Sequence, residues 1–398
     1  MKKEKIQLDK FVPGGQTIGS LSDDKKVFVW GGLPNEEVEI EITKSKKSYA
    51  EGVVTNVLHS NPRRIKAKDE CYLSTSPWQI MDYEYELEQK KELVKESFNQ
   101  AGLLLQIDTK QAVTINKVAT DDVEYNYRNK MEYSLYWNNN SNKVELAFHK
   151  RSSHQKIAVS DSSIERPEIL QEAKNIIDDI NARGLEARQF SSLMIRSNQN
   201  AEVRSMLFEK NKPHIQGKLL TDTIMGHEYT YSPNGFFQIN LPVYEIALQQ
   251  MKNYVANGKV LELYAGVGTI GLSVAKDNAL TMVECDSNAY KELANNAKGF
   301  NNPSIKTVKA KSEDVLEYLT NDINTLILDP PRAGLHQNVV NKILESKPKN
   351  IIYLSCNPST QARDVAMLSD EYKIDIIQPY NFFPRTPHIE NLVVLSLM

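Results

Sequence analysis

Cysteine is scarce. The chain has three in 398 residues, Cys71, Cys285 and Cys356. So few, odd in number and far apart, they argue against a disulfide framework and fit a reducing compartment, so a cytoplasmic protein is expected. Long apolar runs are missing, so no membrane span is expected. Met1-Lys2-Lys3-Glu4-Lys5 is charged with no apolar stretch behind it, unlike a secretory signal. A strong charge of either sign is also missing. With a net charge of −3, the whole chain has no general attraction for polyanions. The distribution differs: between Ile42 and Lys68 stand seven cations (Lys44, Lys46, Lys47, Arg63, Arg64, Lys66, Lys68) against one acid, Glu51. Such a run serves either as a phosphate footprint or as a solubilising surface.

What is present divides into three regions, with boundaries expected at 1–60, 61–230 and 231–398. The length suits two or three domains, and 40% hydrophobic with 25% charged residues is ordinary for a globular chain. In the first region "KVFVWGG", "EVEIEITK" and "AEGVVTNVLHS" read as short strands, punctuated by Pro13-Gly14-Gly15, Gly31-Gly32 and Pro34-Asn35. Several short strands in so few residues suggest a closed barrel, because closure removes exposed edges. "FVPGGQTIGSL", "VFVWGGLPNEEVEIEITKSKKSYAEGVV" and "NPRRIKAKDEC" resemble a TRAM domain, an OB-like RNA-binding barrel, although Asn35 stands where glycine is usual.

Leu87, Val94, Phe98 and Ala101 predict a helix over 83–102, stopped by Gly102. From about 105 to 230 the pattern is a mixed α+β one. "MEYSLYW" and "KVELAFHK" flank Asn138–Asn142 as a hairpin, residues 168–184 read as a helix, and "SSLMIRSNQ" and "EVRSMLFEK" as strands. This stretch carries no chemistry-bearing motif. Arg128, Lys130, Lys150, Arg151 and Lys156 are cations that either touch phosphate or lie in solvent.

From about 240 strands and helices alternate: "KVLELYAG", "LTMVECD", "TLILDPP", "NIIYLSCNP" and "ENLVVLSL" are strands. Alternation of this kind means a doubly wound parallel sheet with ligands at the strands' C-terminal ends. "GVGTIG" (266–271), followed by Glu284 at the end of a second strand, fits a dinucleotide loop and equally an S-adenosylmethionine loop. Glu262 in "LELYAG" and two later motifs favour the methyl donor. In "LDPPRAG", Pro330-Pro331 stiffen the turn that presents Asp329. Arg332 follows where an aromatic would suit amino-nitrogen methylation.

The second motif is "IIYLSCNPSTQARD". Methylating C5 of a pyrimidine needs a thiolate to add at C6, so that an enolate at C5 can attack the donor methyl. A base must then take the C5 proton before the thiol leaves. Cys356, at a strand end, is the candidate nucleophile. Glu390 in "FFPRTPHIENLVVL" is the candidate base, with His388 an alternative base or ring-positioning group. Read separately, Cys356 could be packing and Glu390 a strand-edge charge.

"YSPNGFFQIN", "VLELYAGVGTIGLS", "VECD", "LDPPRAGL", "YLSCNPSTQARD" and "FFPRTPHIENLVVL" together resemble the RNA 5-methyluridine methyltransferase family. The resemblance implies a Rossmann-like methyltransferase domain using S-adenosylmethionine and acting on tRNA or rRNA. A monomer is expected, although the sequence itself is silent on oligomeric state. The resemblance further implies Cys356 as nucleophile, Glu390 as base and Gln238 in contact with both donor and base. Tyr264, Gly266, Gly268, Thr269 and Glu284 would hold the donor, Asp329 would sit at the junction of donor and uracil and touch both, and Arg332 and His388 would sit about the uracil. By the same resemblance the 83–102 helix packs on the catalytic domain. Many relatives carry a cysteine cluster just after the barrel. Cys71 stands alone here, so no iron–sulfur centre is expected. A nicotinamide oxidoreductase would explain "GVGTIG" and Glu284 only, and a non-catalytic RNA binder the barrel only.

Overall fold

The computed structural model describes residues 3–104, 114–151, 153, 155–210 and 218–398. The stretches 105–113 and 211–217 of the mixed central region lie outside them. Five strands, β1 (Lys3–Phe11), β2 (Thr17–Ser20), β3 (Lys26–Trp30), β4 (Glu37–Ser45) and β5 (Tyr49–His59), close into a barrel of order β1-β2-β3-β5-β4. Alternation fills its interior with Ile6, Leu8, Val27, Val29, Val38 and Ile40. Phe11 is not part of that filling. It belongs to the core that underlies the C-terminal sheet, with its ring 4.7 Å from Trp78. The barrel is thereby anchored.

A short helical turn, α1 (Tyr72–Thr75), and a long helix, α2 (Tyr83–Gln100), follow. Asp82 caps α2 by accepting from Tyr85 N at 2.8 Å, with Glu84 and Glu86 in the first turn complementing the helix dipole. Its inward stripe is Glu86, Lys90, Leu93, Val94, Ser97 and Phe98, whereas Leu87 is half-buried. Two charged residues therefore occupy the face that sequence periodicity assigns to Leu87. Their partners lie in the C-terminal loop described below.

The central region is a five-stranded antiparallel sheet of order β10-β9-β6-β7-β8. Its strands are β6 (Lys130–Asn138), β7 (Lys143–His149), β8 (Lys156–Ala158), β9 (Phe190–Ser197) and β10 (Val203–Glu209). Helix α3 (Pro167–Ala182) covers one face with Ile169, Ala173, Ile177 and Ile180. A hairpin, β11 (Leu220–Ile224) and β12 (His227–Tyr231), leads into the last region.

There, seven strands form one sheet of order β15-β14-β13-β16-β17-β19-β18. They are β13 (Lys259–Leu263), β14 (Ala279–Glu284), β15 (Lys306–Lys309), β16 (Ile323–Leu328), β17 (Asn350–Ser355), β18 (Tyr372–Tyr380) and β19 (Glu390–Leu397). The flanking helices are α4 (Leu241–Lys252), α5 (Thr269–Val274), α6 (Ser287–Ala297), α7 (Gln337–Ser346) and α8 (Pro358–Leu368). Residues of one parity (Leu261, Leu326, Ile351, Tyr353) pack with α2, α7 and α8. Those of the other (Val260, Ile327, Ile352, Leu354) pack with α4 and α5. Both faces are covered, as a parallel sheet demands. The sheet is not wholly parallel as expected: β19 runs antiparallel to both β17 and β18. Because β19 is reversed, its first residue, Glu390, lies at the edge where β17 ends, with Ser355 opposite Asn391. Among the described residues no helix is long and apolar enough to cross a membrane.

Candidate active site

A cavity of about 670 Å³ opens at the C-terminal ends of β13, β14 and β16. Gln238, Tyr264, Gly266, Thr269, Glu284 and Asp329 all line it. Glu284 is locked against the glycine loop, accepting from Gly266 N at 2.8 Å and Asp286 N at 2.6 Å. Tyr264 adopts a left-handed φ of 64° where the strand breaks into the loop. Gly268 sits behind the wall rather than in it. At φ 89° it begins α5, and a Cβ there would come within 2.5 Å of Leu293 Cδ1, so its role is close packing. Glu262 also turns away from the cavity. Its Oε2 accepts from Gly271 N at 3.1 Å, Oε1 has no protein partner, and burial drives its pKa well above the usual carboxylate range. A methyl-donor nucleoside fits this cavity: Glu284 can accept from ribose hydroxyls, and Tyr264 and Thr269 flank the loop.

The loop that carries Gln238 is held from outside the domain. Arg196 on β9 is fully buried and donates to Gly235 O (3.0 Å) and Phe237 O (2.6 Å), its guanidinium carbon 5.1 Å from the Tyr231 ring centroid. Lys130 Nζ reaches Asn234 O (3.3 Å), and Asn129 Nδ2 donates to Gln238 O (3.0 Å). Burial lowers the pKa of Arg196 to about 10 and of Lys130 to about 8. The sequence leaves Lys130 between a phosphate contact and a solvated cation and does not mark Asn129 or Arg196. These residues grip backbone carbonyls of a distant loop, which leaves no sequence pattern. Phe236, between the clamped carbonyls, is 75% exposed at the cavity mouth.

Cys356 and Glu390 lie at the adjoining end of the sheet, outside the wall of that cavity. Asp329 joins the two halves, because it lines the cavity and also acts electrostatically on both residues. The Cys-Asn-Pro sequence now has a geometric meaning. Asn357 caps α8 by accepting from Ser359 N (3.2 Å), Pro358 opens the helix, and Asn357 Nδ2 donates to Arg332 O (2.9 Å). Thr360 Oγ1 reaches the same carbonyl at 3.1 Å. Asp364 closes the arrangement by accepting from Leu335 N and Tyr353 Oη, both at 2.8 Å. Gly334, at φ 80°, must be glycine, since a Cβ would stand 2.5 Å from Asp364 Oδ2. The D-P-P-R-x-G and S-C-N-P segments therefore clasp each other, and the thiol is presented beside the Arg332 side chain.

The electrostatics of this end are those of desolvated acids. Burial first, then Glu390, push the Cys356 thiol up to about 11, with Arg332 pulling the other way. Burial lifts Asp329 to about 7 and, with Asp329, raises Glu390 well above 4.5. His388 is exposed at the rim, with Arg332 Nη2 3.4 Å from its Nδ1. The surrounding protein and the Arg332 charge lower its pKa to about 4.

The basic run of 42–68 is only partly free for a polyanion. Arg64 pairs with the buried Glu36 (2.5 Å), Arg63 with Asp82 (2.5 Å) and Lys44 with Glu51 (3.1 Å). Lys68 lies 4.5 Å from the Tyr125 ring centroid. Lys46, Lys47 and Lys66 are exposed and make no ion pair among the described residues. Cys71 is buried, its thiol donates to Asp161 O at 3.6 Å, and burial raises its pKa to about 11. Its surroundings are knit by Gln79, which donates to Asp69 Oδ2 (2.8 Å), Ser76 Oγ (2.7 Å) and Ser163 Oγ (3.3 Å). Among the described residues no three potential ligands converge on a metal position.

Comparison with known proteins gives the family and the fold. Residues 201–398 match the family described as tRNA (uracil-5-)-methyltransferase, and residues 6–55 match the TRAM domain. An uncharacterized RNA methyltransferase of Fusobacterium nucleatum is 30% identical, the match covering 97% of this chain and 94% of the relative. One from Thermotoga maritima is 26% identical over 98% of each chain. The crystal structure of Pyrococcus abyssi tRNA (uracil-54, C5)-methyltransferase in complex with S-adenosyl-L-homocysteine superposes with a TM-score of 0.78 at 21% identity. It covers 99% of this chain and all of that one, so the two share a fold.

Proposed function

Since the chain belongs to the RNA (uracil-5-)-methyltransferase family and is an S-adenosylmethionine-dependent RNA methyltransferase, we propose that it methylates C5 of a specific uridine in tRNA or rRNA through a covalent bond between Cys356 and C6. The observation that carries this is the convergence of Cys356, Glu390, Asp329 and Arg332 at one sheet end beside the donor cavity. When bound, the donor supplies an electrophilic methyl on sulfur. The protein's own residues do the rest. The target uridine has to leave its stack to reach a thiol at this depth, and the exposed Phe236 ring offers a face for a base at the mouth. Arg332 favours the thiolate over the thiol. Thiolate addition to C6 places an electron pair on C5, which takes the methyl. Glu390 removes the C5 proton, and the C6–S bond breaks to return the thiolate. Asp329 can donate to a uracil carbonyl when protonated or accept from N3–H when ionised. The barrel and the central sheet would grip the RNA backbone, and the target must be recognised by shape as much as by sequence.

The test is nucleoside mass spectrometry after incubating the protein with S-adenosylmethionine and either unmodified tRNA transcripts or large-subunit rRNA. The expected product is 5-methyluridine from one of the two, absent with Cys356→Ala. A different methylated nucleoside would overturn the C5 chemistry while leaving the donor site standing.

A further inference from the structure

Helix α2 buries Glu86 and Lys90 completely. Charges at that depth need partners, and theirs are 291–299 residues away, in the loop 381–389 that leads to Glu390. Lys90 Nζ donates to Asn381 Oδ1 (2.5 Å) and Phe383 O (3.0 Å), and pairs with Glu86 Oε1 (3.1 Å). Glu86 accepts from Asn381 Nδ2 (3.2 Å) and takes the backbone N–H of Arg385 on both oxygens (3.0 Å each). Tyr127 Oη donates to Pro384 O (2.9 Å), and Trp78 N to Arg385 O (3.1 Å). The Arg385 side chain donates to Met81 O (2.6 Å) and pairs with Glu124. Arg385 itself holds a left-handed φ of 64°, a conformation that a non-glycine residue keeps only when its surroundings over-determine it. Four residues of this loop are thus pinned, all by side chains or backbone from before residue 130.

Apolar side chains of similar size would dock a helix with less desolvation. What the ionic pair adds is direction, since each of its hydrogen bonds ends on the one loop whose far end is Glu390. We infer that the buried Glu86–Lys90 pair, acting through Asn381 and Arg385, is a positioning device for the proton-abstracting carboxylate of Glu390. The inference rests on the proposed roles of Cys356 and Glu390. A base held out of line would leave thiolate addition and methyl transfer largely intact and would slow the last step, removal of the C5 proton with expulsion of the thiolate. The signature is therefore a long-lived covalent protein–RNA species carrying the methyl group.

The experiment uses the full chain, unmodified total RNA and S-adenosylmethionine labelled in its methyl group. It follows formation and decay of the protein-linked label on denaturing gels. The variants are Lys90→Met, the charge-free pair Glu86→Gln/Lys90→Met, and the milder Asn381→Ala, which retains the buried ion pair if the others fold poorly. Glu390→Gln is the reference. S-adenosylhomocysteine affinity is measured by calorimetry. Glu390→Gln should trap the adduct. The positioning variants should prolong its life by about tenfold or more, because small misplacement of a reacting group is costly. Formation rate and S-adenosylhomocysteine affinity should stay within about threefold of wild type. Trapping by Glu390→Gln with wild-type decay in the variants overturns the positioning role alone, as does equal slowing of formation and decay. No trapping by Glu390→Gln removes the base assignment, and the positioning role with it.

Discussion

The two ends of the cleft are built by opposite means. At the donor end, Glu284 already has two backbone N–H partners, and the loop around it is shaped before anything binds. At the thiol end, Asp329 and Glu390 are acids raised by desolvation, and the thiol on which both act is raised too. One end is satisfied and rigid. The other stores unfavourable electrostatics that a uracil ring, with its own donors and acceptors, can relieve. A methyl donor held in a preformed pocket waits for an event at the unsatisfied end, and that end sets the chemistry.

The contrast can be tested, starting with the largest effect. Cys356→Ala should lower methylation by at least about 10³-fold, while calorimetry finds S-adenosylhomocysteine affinity within about twofold of wild type. Glu284→Ala should do the reverse, weakening that ligand by roughly 10–100-fold through loss of charge-assisted hydrogen bonds. Its single-turnover rate at saturating donor should fall much less. If either variant damaged both ends equally, the division would be wrong. Single-turnover methylation should rise by close to tenfold per pH unit from about pH 6 to 8, because the free Cys356 thiol, pushed up to about 11, holds its proton in this range and the addition step needs it gone. A flat profile would mean that substrate binding, not thiol ionisation, limits the reaction.

Asp329→Asn sharpens the comparison through stability. The folded protein holds the Asp329 proton up to about pH 7, while the unfolded chain releases it near its ordinary value. The acid therefore costs stability progressively as pH rises from about 4 to 7, and by a constant amount above. The variant should be more stable than wild type by roughly 1–3 kcal/mol at pH 8 and indistinguishable at pH 4, by denaturant titration. The smallest effect belongs to the surface. Lys46→Ala with Lys47→Ala should weaken RNA binding a few-fold and lower its salt dependence, by about one unit for each phosphate no longer neutralised, without changing the melting temperature.

The glycine loop and the thiol motif were legible because their chemistry needs a fixed order of residue types along a short stretch. Other features were not. The basic run looks like a footprint until Arg64 is found against Glu36, 28 residues before it, and Arg63 against Asp82. Arg196, Lys130 and Asn129 looked ordinary because what they hold, a row of carbonyl oxygens, has no side-chain signature. The direction of β19 was hidden for a similar reason, as an apolar run reads the same either way. Leu87 seemed the inward residue of α2 because periodicity counts apolar groups, and the inward positions there are Glu86 and Lys90. In each case the deciding partner is remote in sequence.

That remoteness bears on how the polypeptide can be cut and how it acquires its shape. The long helix between barrel and central sheet lays Leu93, Val94 and Phe98 against the final sheet, nearly three hundred residues downstream. An excised fragment of 231–398 would leave a greasy trough where that helix belongs. A fragment ending at residue 230 would expose Trp78 and Phe98 in turn. The barrel can close early from neighbouring strands. The helix beyond it has to wait, half-dressed, until the last sheet exists to receive it. Long-range closure of this kind slows assembly and lengthens the time that sticky surface is bare. Supplying the helix in trans, as a separate peptide, is the natural way to learn whether the catalytic half can be finished without it.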